Sequence, residues 1–243
     1  MLLMKNLFTN KDRYAIMTIS HMTNGHDLRG GKILMPKSTF FNLPEEKKDK
    51  IIAVAIDEFA QNHYEKVTIN KIVKQAEIPK GSFYQYFENK DDVYIFLFSQ
   101  IGNSKKNNLE ELKDRSSQLD FKSYVMLLLE AGNQFGNEDL RILELKNRFI
   151  NECPQEIRKK ILSNEFPKSY QLLADVIRLY IKKGELRENL DVEMVAYIVT
   201  QGLANIEFYQ NAGSSIKDLG TRILDVVIEG IQTESGGENK KGE

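Results

Sequence analysis

Residues 68 to 90, TINKIVKQAEIPKGSFYQYFENK, leave room for little besides two short helices, a tight turn between them and the start of a third helix. Thr68 can accept a backbone N–H at the first helix start, so it reads as an N-cap. The residue three further on is Lys71, so no capping box is formed. Ile69, Ile72, Val73 and Ala76 then fall at i, i+3, i+4 and i+7, the buried stripe of one short helix. Pro79 has no N–H, which the first turn of a second helix does not need. Phe83 and Phe87 anchor that second helix by its apolar face. Lys80, Gly81, Ser82, Tyr84 and Tyr86 are left for contact with a DNA groove, basic, small and phenolic in turn. This is the layout of a helix-turn-helix, whose second helix enters the major groove. Lys80, Gly81 and Tyr84 are expected to face the groove, and Thr68, Tyr86 and Lys90 to hold phosphates. Asn89-Lys90-Asp91 reads as the cap and first turn of the next helix.

The segment resembles the DNA-binding part of the tetracycline-repressor (TetR/AcrR) family of bacterial transcription regulators. The resemblance rests on Thr68-Ile69, Ile72, Ala76, Ile78-Pro79-Lys80-Gly81-Ser82-Phe83-Tyr84, Tyr86-Phe87 and Lys90, ending at Val93. Residues 45 to 67 look like the helix that precedes this motif in the family. Further on it rests on helical layout and on Gly184-Glu185-Leu186-Arg187 followed by Asp191. Glu77 stands where the family usually has glycine. Either it adopts φ > 0, at about 1–2 kcal/mol, or the turn has another shape.

Net charge is −1 over 243 residues, so any DNA affinity must come from local placement of charge rather than bulk attraction. The single cysteine, Cys153, excludes an internal disulfide and fits a reducing cytoplasm. No apolar run is long enough for a membrane helix. No catalytic or metal motif is present, Cys153 reads as an idle thiol, and neither a metal nor a cofactor is expected. An enzyme is not expected.

Four segments follow. Residues 1 to 34 lack periodicity and precede a plausible start at Met35. They read as an artefactual or disordered extension or, with a net charge of +3 over residues 1 to 36, as a basic arm for a minor groove. Residues 35 to 90 form the DNA-binding domain, with a first helix over 44–63. Residues 91 to 232 are helical: 89–115, 121–135, 139–150, 154–164, 166–183, 191–211 and 215–231, with Pro154 and Pro167 opening two helices and Gly184 closing one. Residues 233 to 243 read as a disordered tail.

The last two helices carry wide apolar faces, which suit either the centre of one domain or a surface shared between subunits. The resemblance tips this towards pairing, and Val195, Val199, Gly202, Ile206, Ile223 and Val226 are then expected at a subunit interface. Resemblance implies that these helices pair two subunits as a four-helix bundle. It further implies an all-α fold: an N-terminal three-helix DNA-binding domain with a helix-turn-helix, then a larger helical domain for effector binding and dimerisation. The implied function is a ligand-responsive repressor, a homodimer on a palindromic double-stranded DNA operator. Asn133, Gln134 and Arg148 are candidates for an effector pocket, though Glu144 and Arg148 at i, i+4 also suit a surface ion pair. The competing reading is a DNA-bound adaptor whose helical domain docks a protein and senses no small molecule.

Overall fold

The computed structural model describes residues 36–135, 139–204 and 216–232. They form α1 (Ser38–Phe41), α2 (Glu45–Gln61), a 3-10 turn (Tyr64–Lys66), α3 (Ile69–Ala76), α4 (Lys80–Tyr86) and α5 (Lys90–Glu110). A second 3-10 turn (Lys113–Ser117) leads to α6 (Phe121–Gln134), α7 (Leu140–Glu152), α8 (Gln155–Lys182), α9 (Val192–Ala204) and α10 (Ile216–Ile231). Among the described residues the one extended pairing is an isolated antiparallel bridge between Leu186 and Gln232. The expected all-α class is what the described residues adopt. Segments 1–34 and 233–243, Ile206 and the side chain of Asn133 lie outside the described residues.

The chain divides into two units, but not at residue 90. One unit takes the described residues up to Asn108 together with Phe135–Asn164; the other takes Leu109–Gln134 and the described residues from Glu165. The reason is a shared core. Ile51, Ile52, Ala55, Ile56 and Phe59 of α2 are buried in one cluster with Phe96 and Leu97 of α5, Ile142 and Leu145 of α7, and Ile157 and Ile161 of α8. Aromatic rings run through it. Phe59 meets Tyr94 with centroids 4.6 Å apart, Tyr94 meets Phe98 at 5.0 Å, and Phe98 meets Phe149 of α7 at 4.5 Å.

Polar links join the same helices. Arg148 Nε donates to the carbonyl of Ala60 at the end of α2, 2.7 Å away. Its Nη1 meets Glu152 at 2.8 Å and its Nε lies 3.3 Å from Glu144. Arg148 was a candidate for the effector pocket, and that placement is corrected: its guanidinium fastens α7 to α2. The expected pair with Glu144 is present. Arg141 reaches Asp57 of α2 at 3.3 Å and Asp139 at 2.8 Å. Asp139 caps α7 by accepting the N–H of Arg141 at 2.9 Å, and hydrogen bonding from Arg141 holds its carboxyl below the ordinary range. Cys153 is half-buried, and burial pushes its thiol up to about 11, which keeps it protonated and unreactive.

In the second unit the buried Tyr180 of α8 is central. Its hydroxyl donates to the carbonyls of Ser116 at 3.1 Å and Leu119 at 2.8 Å. Its ring packs edge-on to Phe121 at 5.5 Å. Gly184, at φ +78°, closes α8 as expected: its N–H reaches Ile181 O at 2.9 Å and that of Glu185 reaches Tyr180 O at 3.1 Å. Glu185 then accepts the N–H of Phe121 at 3.0 Å, tying the start of α6 to this loop. Pro167 does not open a helix; it lies inside the continuous α8. Packing overrides the missing hydrogen bond, because Ile157 and Ile161 before it and Leu173, Ala174 and Ile177 after it are all buried.

The expected interface stripe also needs correction. Val199 is 0 % exposed within its own subunit, in the cluster with Tyr180, Ala196 and Leu224. Val195 packs partly buried against the same cluster. A Cβ added at Gly202 would stand 3.3 Å from Ile223 Cγ2, so these two residues mark where α9 meets α10 inside the subunit. On α9 the outward face is rotated from that stripe, with Met194, Tyr197 and Ile198 each about half exposed, while on α10 the expected Val226 does face outward at 74 % exposure.

Candidate nucleic-acid interface

Thr68 caps α3 as expected, its Oγ1 accepting the N–H of Lys71 at 3.4 Å. Ile72, Val73 and Ala76 are buried along α3. Its far end closes through Glu77, at φ 55° and ψ 42°. The N–H of Ile78 reaches Val73 O at 3.0 Å and that of Glu77 reaches Lys74 O at 3.4 Å, the paired bonds that a helix end with a left-handed residue makes. The chain therefore keeps the turn and accepts φ > 0 at a glutamate. The Glu77 carboxylate pairs with Lys50 of α2, and the hydrogen bond from Lys50 holds its carboxyl below the ordinary range.

The turn delivers α4 with one face in the core and one face outward. Phe83 and Phe87 are buried as expected. Lys80, Gly81, Tyr84 and Gln85 are exposed, and Ser82 is half-buried. Tyr84 is 43 % exposed and its ring rests edge-on against Phe83 at 5.6 Å. A Cβ added at Gly81 would meet nothing within 4 Å, so no packing in the subunit requires glycine there. The open backbone suits close approach of a large partner. Exposed Lys71 and Lys74 on α3 and Lys80 on α4 supply the local positive charge that net composition lacks.

Two of the expected phosphate contacts are placed differently. Tyr86 is 5 % exposed. It lies three residues after Phe83, on the same face, with its ring edge-on to Phe40 at 6.1 Å. Lys90 is half-buried, and its ammonium donates to the carbonyls of Tyr64 at 2.8 Å and Val67 at 3.4 Å while standing 4.5 Å from the Tyr64 ring centroid. It is a clasp on the turn before α3. Asn89 does cap α5, accepting the N–H of Asp92 at 2.9 Å, while Asp92 accepts the N–H of Glu88 at 3.1 Å. Replacing Lys90 with Met is expected to cost about 1–3 kcal/mol of stability, the value of hydrogen bonds from a charged donor. The salt dependence of DNA binding should stay as in the wild type. Melting and salt titration check this; a slope reduced by one with unchanged melting would restore the phosphate role.

The sequence reading missed α1. Phe40 is 1 % exposed and sits among Phe87 (4.9 Å), Phe96 (5.5 Å) and Tyr86. The residues before it reach the end of α4. Lys37 donates its N–H to Tyr86 O and its ammonium to Tyr84 O, both at 2.8 Å. Thr39 Oγ1 donates to Gln85 O. Four residues are too few to show periodicity, and the adjacent phenylalanines Phe40 and Phe41 were the one available signal.

Residues 51–95 match the family described as bacterial regulatory proteins, tetR family. The chain is 28% identical over 195 residues to the fatty acid metabolism regulator protein of Bacillus subtilis (strain 168), covering 75% of this chain and 94% of that one. It is 29% identical over 166 residues to the probable acrEF/envCD operon repressor of Escherichia coli (strain K12), covering 65% and 73% respectively. Among solved structures, the transcriptional regulator FadR from Bacillus subtilis in complex with stearoyl-CoA shares the fold at a TM-score of 0.52 and 21% identity, over 75% of this chain and 98% of that one.

Proposed function

This chain belongs to the tetR family of bacterial regulatory proteins, and from that premise we propose that it works as a ligand-responsive, homodimeric repressor on a palindromic operator. Each subunit lays α4 in the major groove of one half-site. The observation that carries this reading is the two-sided α4: Phe83, Tyr86 and Phe87 root it while Lys80, Gly81 and Tyr84 stand outward. An effector bound to the helical part releases the operator by favouring a state that fits DNA less well.

The name of the Bacillus subtilis relative supports an acyl effector. Two lysines support a negative group on it. Lys105 of α5 and Lys146 of α7 are both half-buried. Burial lowers the ammonium pKa of Lys105; burial and then the charge of Lys105 lower that of Lys146. An anionic head beside them would relieve both.

The test is selection of a preferred duplex from random DNA. Lys80→Ala is expected to weaken that duplex by about 1–3 kcal/mol and to relax its sequence preference. Palmitoyl-CoA added to the complex should release the DNA, with palmitate and free CoA separating the parts responsible. Unchanged binding by Lys80→Ala would remove α4 from its role, and retention of DNA with all three additions would remove the acyl effector.

A further inference from the structure

We propose that Lys37 is a positioning residue for sequence recognition: it aims the last turn of α4, and base preference depends on it although it reads no base. This inference rests on α4 being the helix that reads DNA. A helix leaves its last four carbonyls without an intrahelical partner. Here Phe83 O accepts the N–H of Phe87 at 2.9 Å, and the other three are taken by residues just before α1 or within it. Tyr84 O takes the Lys37 ammonium, Gln85 O takes the Thr39 hydroxyl and Tyr86 O takes the Lys37 N–H. One short segment, rooted by the buried Phe40, holds the whole C-terminal turn.

The bonds from the two side chains lie at the surface. Water would satisfy Tyr84 O and Gln85 O if those side chains were absent, so little stability depends on them. What the clip supplies is direction. A helix of only seven residues has weak cohesion of its own, and Tyr84 and Gln85 stand on the turn that is held. Base-edge hydrogen bonds lose their discrimination when the donor or acceptor is displaced by about 1 Å. The ammonium also places a positive charge at the negative end of α4.

The test uses the full chain and the duplex that the wild type selects from random DNA, with a scrambled duplex as reference. For Lys37→Met the ratio of the two affinities is expected to fall at least about fivefold, the low end of what one base contact supplies. Scrambled-duplex affinity and the salt slope should stay as in the wild type. Lys37→Arg should restore the ratio, since it keeps a charged donor at the helix end. Thr39→Val should lower the ratio in the same direction and guards against a folding defect peculiar to position 37, with melting curves recorded for each variant. An unchanged ratio in both Lys37→Met and Thr39→Val overturns the proposal. So does uniform weakening on both duplexes with a slope reduced by about one, because that is the signature of a direct phosphate contact. A wild type that enriches no sequence would instead overturn the reading of α4, and the positioning role with it.

Discussion

A glutamate at Ile198 or Val226 is expected to split the proposed homodimer and to lower operator affinity by about 10²- to 10⁴-fold, the range that linked binding of two half-sites contributes. Met194, Tyr197 and Ile198 follow at i, i+3 and i+4 along α9, and with Val226 of α10 they expose apolar surface on the second unit. Paired across two subunits, that surface would bury any new carboxylate without a partner, at several kcal/mol. Val199→Ala makes the contrast. Its side chain is already enclosed in its own subunit, so it should lower the melting temperature and leave the oligomeric state alone. Sedimentation velocity and DNA titration distinguish these outcomes. An Ile198→Glu, Val226→Glu double variant that remains dimeric with wild-type affinity would move the interface elsewhere.

Phe40→Ala should cost about 3–5 kcal/mol of stability, as loss of an enclosed aromatic ring does. The ring has Phe41, Tyr86, Phe87 and Phe96 as neighbours, so the void would open beneath α4 itself. A chain beginning at Leu43 should lose as much, whereas one beginning at Met35 keeps the whole clip and should melt with the full-length protein. Denaturant titration of the three forms gives the comparison. A loss below about 1 kcal/mol for Phe40→Ala would show that α1 packs far less firmly than its burial implies.

Features written in local chemistry were legible in the sequence. Thr68 as a cap, Pro79 before α4, Gly184 at the end of α8 and the stripe of α3 all follow from short-range rules on capping, φ and periodicity. The unexpected placements share another cause. Periodicity gives the apolar side of a helix but not which neighbour covers it, so Val199 and Gly202 were assigned to a partner when α10 and the unit's own core cover them. Tyr86 carries a hydroxyl and Lys90 a charge, yet each is placed by a distant group: Phe40 for one and the Tyr64 and Val67 carbonyls for the other. Arg148 had its helical neighbour Glu144 in view, whereas the Ala60 carbonyl lies 88 positions away in the chain. Pro167 obeyed the local rule for a helix start and was overruled by burial on both sides.

The core beneath α2 also has a schedule. Its buried members begin at Phe40, continue through α5, and are completed by Ile142, Leu145, Ile157 and Ile161. A ribosome adds residues at about 5–20 per second, so the stretch from Phe98 to Ile161 takes roughly 3–13 s to make. For most of that interval Phe98 waits for Phe149, and Arg148 has yet to reach Ala60. The nascent head must therefore stay incompletely packed, and in need of shielding from its neighbours on a polysome, until the helix that completes it has emerged.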